Sequence, residues 1–173
     1  MEPSTRLSRR ARPFAARLAG LLLVAALAGC GLAMPTDPDG TLQDITGGTL
    51  RVGVTESVTE NHDFVRLQPG AEPAGIEPEL VRGFAATREA SIEWVEGSEH
   101  QLVEDLKHGE LDLVIGGLAN DTPWSKHAGM TRPYAETRDE RGKTVKHVML
   151  VLMGENAFLL ALDQYLLGQE VDL

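Results

Sequence analysis

The chain has 173 residues, 16 basic against 26 acidic side chains and a formal charge of −10, and 42% of it is hydrophobic. Length and apolar content suit one core of ordinary domain size. The acidity excludes a nucleic-acid binder, which needs a basic footprint, and the single cysteine, Cys30, excludes an internal disulfide.

At the N-terminus Arg6, Arg9, Arg10, Arg12 and Arg17 form a positive flank, an apolar run follows over 18–27, and Ala28-Gly29 precede Cys30. This is the three-part layout of a secretory signal. Leu27-Ala28-Gly29-Cys30 resembles the lipobox of bacterial lipoproteins, which implies cleavage before Cys30 and acylation of its thiol by a diacylglyceryl group, with a palmitate-type chain on the new amine. Together these exceed the two-signal threshold for stable attachment. The other readings of the segment are a short transmembrane helix and a buried free thiol; about ten apolar residues fall short of the roughly 20 that a span requires. The pair Arg9-Arg10 fits twin-arginine export only in part, because Arg12-Pro13 follows where a hydrophobic residue belongs.

The expected organisation is a signal peptide over 1–29, a lipidated cysteine and flexible tether over 30–48, and one domain over 49–173. Removing 1–29 takes away five bases and one acid, leaving 11 bases, 25 acids and a net charge of −14. Such a surface is soluble and favours cationic ligands. Pro35, Pro38, Gly40, Gly47 and Gly48 break any regular pattern in the tether, whose random-coil reach is roughly 20–25 Å.

The domain alternates strand and helix signals. Residues 49–54 are a short β-rich run. Pro78 marks a first helical position, with Ile76, Leu80, Val81, Phe84 and Ala85 at helical spacing. Residues 91–96 alternate with period two and predict a strand with one buried face. Ser98-Glu99-His100-Gln101 matches a capping box ahead of Leu102, Val103 and Leu106, and Gly109 stops that helix. Residues 111–115 form an apolar strand ending at Gly116-Gly117. A further strand is expected over 145–153, and an amphipathic helix over 155–167 turns Phe158, Leu159, Leu162 and Leu166 inward. The fold class is α/β: a single lobe with a mostly parallel sheet and flanking helices.

Several of these pieces resemble the first lobe of the family 3 extracellular solute-binding proteins, the periplasmic amino-acid-binding type. They are Leu50-Arg51-Val52-Gly53-Val54, Gly75-Ile76-Glu77-Pro78-Glu79-Leu80, the run from Leu102 through Leu111-Asp112-Leu113-Val114-Ile115-Gly116-Gly117, and Thr131-Arg132-Pro133-Tyr134. The resemblance implies an extracytoplasmic substrate-binding component or accessory of a transport system of the ABC type, lipid-anchored to a bacterial membrane and partnered by a permease. Family members close two lobes over the ligand. Here a polar link over 135–143 stands where the second lobe would begin, and 145–150 with the closing helix resembles the segment that returns to lobe one. The chain thus looks like a one-lobe version; a truncated gene is the alternative.

In open α/β sheets ligands sit beyond the carboxyl ends of the strands. That places Thr55 and Glu56 after the first strand and Gly116, Gly117, Asn120, Asp121, Thr122 and Trp124 after the third in the candidate ligand site, for a small polar or cationic solute. The two glycines allow close backbone approach or merely permit a turn. Thr122-Pro123 suits the start of a short helix. The resemblance places the family's carboxylate-clamping arginine at the position of Trp124, which leaves amino-acid capture in the family manner without its clamp. Trp124 with Glu56 and Asp121 suits a cation by cation–π and ion pairing; packing in the core is the other reading of Trp124. No metal or cofactor is expected, since the five histidines lack metal-ligand spacing, and with no Gly-x-Ser-x-Gly elbow and no free cysteine the chain reads as a non-enzyme. The second functional reading is a membrane-anchored sensor or docking module that binds a protein through the same face.

Overall fold

The computed structural model describes residues 35–171; the expected signal sequence and Cys30 lie outside the described residues. The elements in chain order are α1 (Thr41–Ile45), β1 (Thr49–Val54), β2 (Ser57–Val58), β3 (Asp63–Val65), α2 (Ile76–Thr87), β4 (Ser91–Glu96), α3 (Glu99–Lys107), β5 (Leu113–Ile115), a 3₁₀ turn (Pro123–Lys126), β6 (Gly129–Met130), β7 (Ala135–Arg138), β8 (Thr144–His147), β9 (Leu150–Val151) and α4 (Asn156–Leu167). The main sheet has the order β4-β1-β5-β9-β6. β1 runs parallel to β4 and β5, whereas β9 is antiparallel to β5 and β6.

Strand alternation gives the sheet two apolar faces. Leu50, Val52, Val54, Leu113, Ile115 and Val151 point to one side, against Val81 and Phe84 of α2 and Phe158, Leu162 and Leu166 of α4. Val114 and Leu150 point to the other, against Leu102, Val103 and Leu106 of α3. Gly53 keeps that second face thin: a Cβ there would stand 2.7 Å from Leu111 Cδ1 and 3.0 Å from Leu102 Cδ2. The α/β single-lobe expectation therefore holds, with four of the five strands running one way.

Local chemistry explains most boundaries. Ser98 Oγ accepts the Gln101 N–H at 3.4 Å and opens α3. Gly109 follows the end of that helix at φ +72°, a left-handed position that glycine occupies without a Cβ penalty. Pro78 lies at the third residue of α2 rather than the first. The first-turn N–H groups have no intrahelical acceptor, so proline costs no hydrogen bond there.

Two expectations need correction. Residues 35–48 are not a free tether as far as they are described: Ile45 is buried in the core, and the Asp37 and Glu155 carboxylates tie this segment to α4. The single strand expected over 145–153 is two strands in different sheets. β8 pairs with β7 in a hairpin over the supposed polar link, and the chain then crosses into the main sheet as β9. The hairpin turn is set by Asp139, whose Oδ1 accepts the N–H groups of Arg141 and Lys143, and by Gly142 at φ +76°. Among the described residues no helix is long and apolar enough to cross a membrane.

Candidate functional site

The carboxyl ends of β1 and β5 lie side by side. Thr55 N–H donates to Ile115 C=O, extending their pairing by one residue. Gly116 packs directly on Thr55, so that a Cβ there would run into the threonine methyl; one on Gly117 would run into Ser57 Oγ. Gly117 has φ +64°. Both of its backbone groups are taken: the N–H donates to Glu77 Oε2 at 2.8 Å, and the C=O lies 3.0 Å from His147 Nδ1. The Tyr134 hydroxyl donates to Glu77 Oε1 at 2.7 Å, and His147 Nε2 lies 2.8 Å from Thr137 Oγ1. The Phe64 ring stacks 4.2 Å from the His147 ring.

This cluster ties α2, the loop after β5 and the β7–β8 hairpin together. Glu77 is fully buried, and burial pushes its carboxyl up to about 7, against the opposing hydrogen bonds from Tyr134, Gly117 and Gly116. Burial, and then the charge of Glu77, hold the Tyr134 hydroxyl well above its ordinary range. Burial lowers the pKa of His147. Glu77, Tyr134 and His147 carry no role in the sequence reading beyond family pieces and a strand. One signal was present: Glu77 precedes Leu80, Val81 and Phe84 by three, four and seven residues, which puts a carboxylate in the core stripe.

The eight expected site residues divide into three groups. Thr55 and Gly116 pack on one another, and Gly117 beside them packs on Ser57 and Phe64. Glu56 and Asn120 are exposed at the same end of the sheet, where Asn120 N–H donates to Lys146 C=O and Glu56 accepts the Leu67 N–H at 3.4 Å. Of the remaining three, Asp121 and Trp124 have other side-chain partners. Asp121 forms an ion pair with Lys143 at 2.9 Å, which holds its carboxyl below the usual range. The Trp124 indole N–H donates to Glu99, and its ring lies 5.5 Å from His100 and against the core beneath α3. Thr122 is buried, and its hydroxyl has no hydrogen-bond partner. The polar groups of Asp121 and Trp124 are thus engaged with Lys143 and Glu99.

A small cavity of about 320 Å³ lies between the loop after β2 and the β7–β8 hairpin, lined by His62, Glu136, Thr137, Arg138 and Thr144. A polar cleft of about 590 Å³ lies elsewhere, at the amino ends of the strands, beside Thr49, Arg51, His108 and Asp112. Arg51 there is committed to Asp112 and to the Gly109 C=O, and the cleft is far from the strand ends where an open sheet holds its ligand. Among the described residues no group of three or more histidines, cysteines or carboxylates could hold a metal ion.

The lobe is a three-layer α/β domain with a glycine pair at the carboxyl end of β5. The sequence profile of the bacterial extracellular solute-binding proteins, family 3, matches residues 50–164, and the chain belongs to that family. Among solved structures, the arginine-bound form of domain 1 from TmArgBP superposes with a TM-score of 0.63 at 16% identity, over 73% of this chain and 98% of that one. An arginine-bound truncated ArgBP from T. maritima gives 0.60 at 11% identity, over 72% and 97%. An ancestral amino-acid-binding protein described as a precursor of cyclohexadienyl dehydratase gives 0.59 at 14% identity, over 73% and 92%. At these identities the likeness is one of fold. A search of curated proteins finds no match.

Proposed function

We propose that this protein is a lipid-anchored, extracytoplasmic solute-binding component of a bacterial uptake system. In this reading it takes a small polar or cationic solute at the carboxyl ends of β1 and β5 and passes it to a membrane permease. The observation that carries the reading is the family match from β1 through most of α4, which takes in both strand ends. Cys30 in Leu27-Ala28-Gly29-Cys30 supplies the anchor. Glu56 and Asn120 are the exposed polar groups placed to meet the solute, Thr55 lies beside them, and Gly116 and Gly117 shape the floor. The arginine-bound single domain to which the lobe is similar supports a one-lobe site for a cation.

Affinity is weak in this reading. A solute held between two lobes at micromolar affinity gains about −8 kcal/mol, and half of those interactions leave it near the millimolar range. Titration calorimetry with arginine, a polyamine, a quaternary amine and glutamate tests this. Millimolar binding of the cations, lost in Glu56→Gln and absent for glutamate, is the expected result. One observation favours a docking module instead: Gly117, Asp121 and Trp124 have their polar groups engaged internally, which leaves a shallow face. No heat with any solute would leave that second reading standing.

A further inference from the structure

Three arginines are half-buried among the described residues: Arg51, Arg82 and Arg88. Two of them direct their guanidinium groups to the chain, Arg51 to Asp112 and the Gly109 C=O, Arg82 to Glu72 and the Pro73 C=O. Arg88 differs. Its Nε is buried without a hydrogen bond, and no described carboxylate forms an ion pair with it. Arg88 is the C-cap of α2, where the negative end of the helix favours a cation, and its Cζ lies 5.7 Å from the centre of the Phe84 ring. Both contacts position the guanidinium and use none of its N–H groups.

That group lines a cavity of about 690 Å³ between α1, the end of α2 and the first turn of α4. Leu42 and Ala157 give it an apolar wall, and Gln43 and Thr46 a polar rim. Asp37 lines it too, but this carboxylate is already held by the N–H groups of Leu42, Ala157 and Phe158. Among the described residues lining the cavity Arg88 is the one cation, so a ligand with two negative charges would meet the acidic domain with one of them uncompensated. A monocarboxylate suits it better: its two oxygens accept parallel N–H bonds from a single guanidinium fork, and an apolar body can lie against Leu42 and Ala157. The cavity is at the amino ends of the strands, where Gly47 N–H donates to Arg88 C=O just before β1 and Ser91 N–H donates to Gly48 C=O at the start of β4. Thr55 and Gly116 lie at the opposite end of the sheet.

We propose that Arg88 forms a second ligand site, for a small monocarboxylate with an apolar body, with the Gln43 amide at its rim. The site is independent of any solute bound at the ends of β1 and β5. Its ligand touches α1, α2 and α4 together, so binding stabilises the fold. The test uses the full-length protein with isotope-labelled arginine, the Arg88 Nε–H resonance being assigned by its loss in Arg88→Lys. Benzoate is the probe, benzamide its neutral counterpart, and inorganic phosphate is added at a pH where it is a dianion, all at matched ionic strength. Benzoate should move the Nε–H resonance along a saturating curve at millimolar concentration and raise the thermal midpoint. Benzamide should do neither, and phosphate should bind severalfold more weakly. Arg88→Lys keeps the charge and removes the fork, and should abolish the benzoate-induced rise in midpoint. That variant also alters the packing on Phe84, so Gln43→Ala at the exposed rim supplies a second measurement: benzoate affinity should fall severalfold with the urea midpoint unchanged. A Nε–H resonance that benzoate leaves unmoved, or moves without saturating, would overturn the site, as would an equal response to benzamide or full benzoate affinity in both variants. Phosphate binding as tightly as benzoate would overturn the monocarboxylate assignment.

Discussion

Asp37 and Glu155 exchange helix caps. Asp37 Oδ1 accepts the N–H groups of Ala157 and Phe158 at the start of α4, while its Oδ2 accepts that of Leu42 in α1. Glu155, just before α4, reaches back to accept the N–H groups of Asp39 and Thr41. More than a hundred residues separate the two, so this pair of carboxylates closes the N-terminal segment onto the C-terminal helix. Each also lies at the positive end of the other's helix.

The capping exchange predicts coupled losses. Asp37→Ala and Glu155→Ala should each cost on the order of 1–2 kcal/mol, the size of a helix-cap deletion. Losing one releases the segment that carries the other, so the double variant should cost less than the sum. Urea unfolding of the four proteins gives the coupling; strict additivity would show that the two caps act independently.

Glu77 predicts a pH slope. Its carboxyl is raised from an ordinary value of 4.5 to about 7 by burial. A group raised in the folded state stabilises the fold below its unfolded pKa, and that contribution is lost as pH rises through the folded value. Stability should therefore fall between pH 4.5 and 7 by on the order of 3 kcal/mol and be flat in this respect above 7. Glu77→Gln, which does not titrate, should lack that slope. Tyr134→Phe removes a hydrogen bond that holds the carboxyl down, and should move the end of the slope to higher pH. Thermal midpoints measured from pH 4 to 8 on the three proteins would show it.

Gly116 and Gly117 predict packing losses that need no ligand. Gly117→Ala meets Ser57 and a left-handed backbone, the second alone worth about 1–2 kcal/mol. Gly116→Ala meets the Thr55 methyl group first and the Thr55 carbonyl oxygen at 3.3 Å second, so Thr55→Ala should restore the larger part of its loss. Denaturant midpoints of the single and double variants decide whether Thr55 is the obstacle. A failure of rescue would place the constraint on Gly116 elsewhere.

The proposed anchor at Cys30 predicts a labelling result. Wild-type protein should take up labelled palmitate and partition with membranes, and Cys30→Ser should do neither. Equal labelling of the two would remove the lipobox reading.

Removing residues 144–173 deletes β8, β9 and α4. With them go Leu150 and Val151, which link β5 to β6, and Phe158, Leu162 and Leu166 from the core. Cooperative unfolding should vanish. A truncated protein with an unchanged calorimetric transition would show that this part is an appendage.

The sequence by itself determined the elements whose signals are local. Leu50, Val52 and Val54 alternate on β1, Ser98 opens α3, Gly109 follows its end, and Phe158 with Leu162 marks the buried stripe of α4. These follow from dihedral preference, capping and periodicity, which act within a few residues, and their order carried the family resemblance. The tertiary structure alone decided what rests on distant partners. Residues 35–45 look like a linker because their order depends on Glu155, more than a hundred residues away. The run over 145–153 reads as one strand because periodicity cannot report that Val145 pairs with Thr137 while Leu150 pairs with Val114. At the candidate site the residue types were legible and their partners were not. Trp124 has the chemistry to meet a cation, but Glu99 and His100 of α3 receive it first. Glu77 stands in sequence as one acid among 26. Only the fold brings Gly117 and Tyr134 to its two oxygens and closes it off from water, and a carboxyl's affinity for its proton is set by that enclosure and not by its neighbours in the chain.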